Sequence, residues 1–216
     1  MFSNILFDLD GTLTDPKVGI TRCVQYALRQ LEVISPAADD LEWCIGPPLM
    51  HSFALLMETK DKNLLGQALF HYRKRFSEKG LFENSVYPDV MSSLENLKRA
   101  GKQLFLATAK PQVFAKQILD HFELSQFFKT IYGSELNGHL SDKGDLIAHI
   151  LKSENLALDN TLMVGDRSHD IIGGQKNGIQ TAWLDCGYGT ADERSVSKPD
   201  LIFTTVADLA KYVTAG

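Results

Sequence analysis

The chain has 216 residues, 44% hydrophobic and 23% charged, which suits a protein with a substantial core and argues against a disordered or fibrous one. Its 22 Lys and Arg against 27 Asp and Glu leave a formal charge of −5, which disfavours non-specific binding to nucleic acid or to an anionic membrane surface. There is no membrane-length apolar run and no basic leader, and the three cysteines Cys23, Cys44 and Cys186 are widely spaced; the expectation is a cytoplasmic protein with free thiols.

The first element is a short apolar run, Asn4 to Leu9, which reads as a buried strand entering a turn at Asp10-Gly11-Thr12. From Val18 to Lys79 the apolar residues recur at three- and four-residue spacing. Helices are expected over Val18 to Leu31, Leu41 to Ile45, Leu49 to Met57 and Lys62 to Lys79, with Val24, Leu28 and Leu31, then Leu65, Leu69, Tyr72 and Phe76, as the inward faces. After Pro88 the pattern changes. A helix over Val90 to Ala100 stops at Gly101, a strand covers Leu104 to Ala107, and a helix runs from Pro111 to Phe122. Then follow a strand at Thr130 to Tyr132, a helix at Leu146 to Glu154 and a strand at Thr161 to Val164. A helix at Ile171 to Asn177 and strands at Thr181 to Leu184 and Leu201 to Thr204 precede a short terminal helix. Strands alternating with helices predict an α/β fold with a doubly wound parallel sheet, a Rossmann-like core. The all-helical stretch breaks that alternation. It is read as an inserted cap domain over residues 17–82, with residues 1–16 and 83–216 forming the core.

In an open parallel sheet, ligands bind beyond the carboxyl ends of the strands. Past the first strand lie Asp8, Asp10, Gly11 and Thr12; past the second, Thr108, Ala109 and Lys110; past the fourth, Gly165, Asp166, Arg167 and Asp170. Lys143 opens the helix before that fourth strand. Carboxylates gathered in one crevice repel unless a cation joins them, and Mg²⁺ is the usual oxygen-bound partner where phosphate is also present. Lysine and threonine beside such a cluster suit a phosphoryl group. One carboxylate can attack phosphorus, and a second can protonate the leaving oxygen and then activate water.

These residues fall into a known pattern. FDLDGTL at Phe7 to Leu13, Thr108 after an apolar strand, Lys143 further on and GDRSHD at Gly165 to Asp170 together resemble the haloacid dehalogenase superfamily. The four motifs occur in order over essentially the whole chain, and GPPL at Gly46 to Leu49 and GYG at Gly187 to Gly189 look like its phosphoglycolate phosphatase and 5′-nucleotidase branch. The resemblance implies Asp8 as nucleophile and Mg²⁺ ligand, and Asp10 as general acid and base whose carbonyl also meets the metal. It implies Thr108 and Lys143 as phosphoryl-contacting catalytic residues and Asp166 and Asp170 as further metal residues. Backbone N–H groups of Leu9, Asp10 and Ala109 would complete the cradle. Asp10 favours phosphatase or phosphomutase chemistry, since ion pumps carry threonine there and dehalogenases lack the second aspartate.

Substrate contacts are expected from Thr108, Ala109 and Lys110, from Gly46 and Pro47 in the cap, and from Arg22. Lys129 and Lys152 stand as alternatives to Lys143, because Gly144 replaces the proline many relatives have after this lysine. The run His71 to Arg75 reads first as a solvated helix face, and His169 as a helix-start residue. The expected activity is hydrolysis of a small phosphorylated metabolite, phosphoglycolate foremost and a nucleoside 5′-monophosphate as main rival. A phosphomutase and a non-catalytic binding protein are the alternatives. No GxxxxGK precedes Ser or Thr, which speaks against a P-loop kinase. No nucleic acid or membrane partner is expected, and the chain is read as a monomer or homodimer.

Overall fold

The first strand, β1 (Asn4–Phe7), is buried at every residue, as a central strand covered on both faces must be. It belongs to a computed structural model that describes residues 2–215. The remaining elements are β2 (Thr14–Asp15), α1 (Lys17–Gln30), α2 (Leu49–Leu56), α3 (Lys62–Arg75), β3 (Ser85–Val86), α4 (Val90–Arg99), β4 (Gln103–Pro111), α5 (Gln112–His121), β5 (Thr130–Ser134), α6 (Lys143–Ser153), β6 (Thr161–Gly165), α7 (Ser168–Lys176), β7 (Gln180–Leu184), α8 (Ala191–Ser197), β8 (Leu201–Phe203) and α9 (Val206–Thr214). The chain divides into two units: Met1–Asp15 with Val86–Gly216, and Pro16–Ser85.

The first unit is built on a six-stranded sheet of order β5-β4-β1-β6-β7-β8, every neighbouring pair parallel. The chain runs outward from β1 through β4 to β5, then returns to the other side of β1 for β6, β7 and β8. That reversal places a topological switch point at the carboxyl end of β1, where such sheets bind ligands. Alternation along the strands sends Leu6, Phe105, Ala107 and Met163 to one face, where they pack with Leu146, Ile147 and Ile150 of α6. The α7 helix packs beside α6, and α4 packs against α9.

The second unit is helical. Val24 and Leu28 of α1 are buried, as are Leu65, Ala68 and Tyr72 of α3. The Tyr72 ring stacks on Phe76 at 5.4 Å and meets Phe53 edge-on at 6.3 Å. Two details depart from the periodicity reading. The segment expected as a helix at Leu41 to Ile45 is a 3₁₀ turn at Asp39–Cys44, and α3 widens into a π turn at Phe76–Gly80 instead of continuing to Lys79. Leu69 is only half-buried, while Ala68 fills the inward position.

The sheet also differs in detail. β1 ends at Phe7, two residues early, which leaves Asp8 immediately beyond the last ladder residue. β4 runs on to Pro111, with a register shift against β5 between Thr108 and Pro111. The three cysteines are free thiols, and no described helix is long and apolar enough to cross a membrane. Ile150 is fully buried in the α6 cluster, so Ile150→Ala should destabilise by about 2–5 kcal/mol through lost contacts and a residual cavity. Urea denaturation should show a lower midpoint with an unchanged slope.

Candidate active site

Four loops from the first unit converge beyond the carboxyl edge of the sheet. Asp8 follows β1 directly, its N–H bonded to the Val164 carbonyl at 2.9 Å. The turn behind it closes through Gly11 N–H to the Thr14 carbonyl at 2.8 Å. Gly11 holds φ +82°, and a Cβ there would fall 2.3 Å from an Asp166 carboxylate oxygen, so the position admits only glycine. Asp166 follows β6, and Asp170 sits at the third position of α7, where its Oδ2 accepts from the Arg167 N–H at 3.2 Å. A carboxylate at that point satisfies a helix-start donor while its other oxygen faces the site. Lys143 is the first residue of α6, whose cap Asp142 accepts from the Asp145 N–H at 3.0 Å.

The result is a buried charge cluster. One oxygen each from Asp8, Asp166 and Asp170 lie within 4.8 Å of one another. The Lys143 ammonium is 3.0 Å from Asp8 Oδ1 and 2.7 Å from Asp170 Oδ1, and donates to the Ala107 carbonyl at 2.8 Å. Asp166 is fully buried; Thr12 Oγ1 donates to its Oδ1 at 3.1 Å and the Tyr188 N–H to its Oδ2 at 2.7 Å. Beside the cluster, Lys110 pairs with Asp10 Oδ2 at 2.8 Å. The other Asp10 oxygen is buried with no hydrogen-bond partner among the described residues. Thr108 is buried within β4, where its register against β5 shifts, and the Lys110 N–H donates to its Oγ1 at 3.3 Å. The Ala109 carbonyl accepts from the Ser134 hydroxyl at 2.7 Å.

Burial decides the electrostatics. It lifts Asp166 well above the ordinary carboxyl range, with the charges of Asp170 and Asp8 adding to the rise. Burial pushes Asp170 up to about 6 against the pull of Lys143. Burial also raises Asp10, opposed by Lys110. For Lys143 burial acts downward, but Asp170 and Asp8 outweigh it and hold the ammonium charged. Asp10 has Lys110 as its partner, whereas Asp8, Asp166 and Asp170 set three carboxyl groups against one lysine. That surplus of buried carboxylate oxygens fits a hard divalent cation.

The structure therefore brings Asp8, Asp10, Thr108, Ala109, Lys110, Lys143, Asp166 and Asp170 to one edge of one sheet. Lys129, an alternative to Lys143, instead pairs with Glu154 at 2.9 Å, and Lys152 is exposed. Gly46, Pro47 and Arg22 belong to the helical unit. There Arg22 pairs with Glu83 at 2.9 Å, and Glu83 also takes Arg75 at 2.7 Å, so the Arg22 guanidinium is engaged within its own unit. Gly46 turns the chain at φ +101° ahead of Pro47 and α2. His169 is the second residue of α7, and burial lowers its pKa. Sequence reading gave no role to the Thr12 hydroxyl or the Tyr188 N–H; both lie within quoted motifs, but only the folded chain shows that they share Asp166.

A parallel sheet with carboxylates, a threonine and a lysine gathered at its switch point defines a hydrolase class. The family described as haloacid dehalogenase-like hydrolase matches residues 5–184, and the chain belongs to it. It is 46% identical over 200 residues to a 5′-nucleotidase of Pseudomonas aeruginosa, covering 92% of this chain and 89% of that protein. A phosphoglycolate phosphatase of Aliivibrio fischeri is 29% identical over 218 residues, covering 98% of this chain and 94% of that protein. The tyrosine-protein kinase PtkA of Mycobacterium tuberculosis is 36% identical over 87% of this chain, which spans 64% of the kinase's length. A crystal structure of "a predicted phosphatase from Clostridium acetobutylicum" superposes with a TM-score of 0.94 at 38% identity, covering all of both chains. The chain is a phosphatase of the haloacid dehalogenase type.

The raised carboxyls fix a sign. In the cation-free protein, folded Asp166 and Asp170 bind protons more tightly than they do unfolded, so their unfavourable contribution shrinks as pH falls. Acidification from pH 7.5 to 5.5 in a chelator should therefore raise the melting temperature relative to an Asp166→Asn/Asp170→Asn variant. Lowered His169 works the other way in both proteins and cancels in the difference. A thermal-shift series should show wild type gaining on the variant as pH drops.

Proposed function

We propose that the chain is a Mg²⁺-dependent phosphatase that hydrolyses a small phosphorylated metabolite through a phosphorylated Asp8. The observation that carries this reading is the buried trio Asp8, Asp166 and Asp170, with Lys143 paired to Asp8 and Asp170 and with Asp10 in a separate pair beside it. Mg²⁺ held by Asp8, Asp166 and Asp170, with the Asp10 carbonyl, would offset negative charge on the phosphoryl oxygens. Asp8 supplies the attacking oxygen, and the Lys143 ammonium 3.0 Å away offsets negative charge between it and the incoming anion. Thr108 donates a hydrogen bond to a phosphoryl oxygen, and the backbone N–H groups of Leu9, Asp10 and Ala109 complete the cradle. Asp10, whose pKa burial raises, is the group that delivers a proton to the leaving oxygen and, once ionised, accepts one from the water that cleaves the acyl phosphate.

Two substrate classes compete. The 46% likeness to a 5′-nucleotidase against 29% to a phosphoglycolate phosphatase supports a nucleoside 5′-monophosphate ahead of phosphoglycolate. The PtkA likeness supports a second reading, in which the phosphoryl group passes from a nucleotide to a protein hydroxyl instead of to water. One assay separates them. Inorganic phosphate release in Mg²⁺ from nucleoside monophosphates, phosphoglycolate and ATP should rank a monophosphate first by kcat/KM. Asp8→Asn should lower kcat by about 10⁴-fold or more, the scale seen when a nucleophile acting as part of a unit is removed. Full activity in that variant rules out the nucleophile, and label moving from ATP to protein without phosphate release favours the transfer reading.

A further inference from the structure

Asp166 is enclosed more tightly than any other carboxylate of the site, and the loop at residues 187–189 does most of the enclosing. A Cβ on Gly187 would lie 2.3 Å from the Asp166 Cβ and from its Oδ2. A Cβ on Gly189 would lie 1.9 Å from the Asp166 carbonyl oxygen and 2.4 Å from the Trp183 ring. Between them, the Tyr188 N–H donates to Asp166 Oδ2 at 2.7 Å. The Tyr188 phenol points the other way and donates to the Asp15 carboxylate at the end of β2. The loop is thus pinned at both ends of one residue: backbone to a buried carboxylate, side chain to the strand that leaves the β1 turn. On the far side, Thr12 Oγ1 reaches Asp166 Oδ1 at 3.1 Å. Each oxygen of Asp166 carries one donor, which fixes the carboxylate plane and leaves one lone-pair direction on each for a further ligand.

We propose that Tyr188 is a positioning residue for a divalent cation, its N–H aiming the Asp166 carboxylate and its phenol anchoring the loop to Asp15. This rests on the Mg²⁺ reading above. The reasoning is geometric. Mg²⁺ demands near-octahedral oxygen ligands, so a ligand free to rotate binds it poorly, and groups that orient ligands typically govern affinity by about 10–100-fold. Asp166 cannot rotate without losing both donors, and the two glycines bring the backbone close enough for the N–H to reach. Tyr188→Phe keeps the backbone donor and removes only the anchor.

The test measures binding, with Mn²⁺ as a paramagnetic probe titrated into the full chain and followed by electron paramagnetic resonance, and Mg²⁺ as competitor. Gly187→Ala is expected to bind Mn²⁺ about 10–100-fold more weakly, the range for lost orienting contacts, and Tyr188→Phe about 3–10-fold more weakly, below that range because its backbone donor remains, with circular dichroism unchanged. Asp166→Asn should lose specific binding. Wild-type Mn²⁺ affinity in folded Tyr188→Phe overturns the inference even if Gly187→Ala fails to fold. Wild-type affinity in Asp166→Asn overturns the metal reading itself, a separate failure.

Discussion

Three buried carboxylates around one lysine form a charge imbalance that the fold must hold in place. Isolated buried charge is costly, and carboxylates this close repel one another. The cluster persists because each acid has a fixed partner: Asp8 and Asp170 meet Lys143, while Asp166 takes Thr12 and Tyr188. The imbalance that remains is one that a divalent cation would offset.

Only a sheet of this connectivity delivers these groups to one point. Asp8 and Asp166 leave adjacent parallel strands at matched register, Phe7 beside Val164. Thr108 lies on β4, the strand on the other side of β1, two residues past the Leu106 that stands beside Phe7. Lys143 and Asp170 come instead from the amino ends of α6 and α7, which pack side by side on one face. A helix start is a natural station for Asp170, whose carboxylate satisfies a backbone donor there. Lys143 sits at the other helix start against the dipole's preference, and the two nearby carboxylates outweigh that cost.

Much of this was legible in the residues. The two-residue spacing of Asp8 and Asp10, the apolar run before them and the GDRSHD loop each carry their own local signal, because a buried strand and a glycine turn are properties of a few adjacent residues. The sheet's alternation with helices was legible for the same reason. What escaped depended on distance in sequence. Nothing local says that Thr12 and Tyr188 share Asp166, or that Arg22 is engaged by Glu83. The 3₁₀ turn at Asp39–Cys44 escaped because six residues with helical spacing do not distinguish the two helix types. The α8 helix escaped despite a readable signal, Thr190 followed three residues later by Glu193, which form a reciprocal cap.

The separation of Asp10 from the trio bears on how two aspartates two residues apart could do different work. Asp10 meets the Lys110 ammonium, and burial raises its pKa against that pull. Asp8 stands on the other side, against the Lys143 ammonium. The two residues share a turn but not a counter-ion, so a cation binding among Asp8, Asp166 and Asp170 need not discharge Asp10 to the same degree. Different environments acting on chemically identical side chains are how a single site provides a nucleophile and a proton donor together. In this chain the two acids meet different lysines, which arrive from separate segments, β4 and α6.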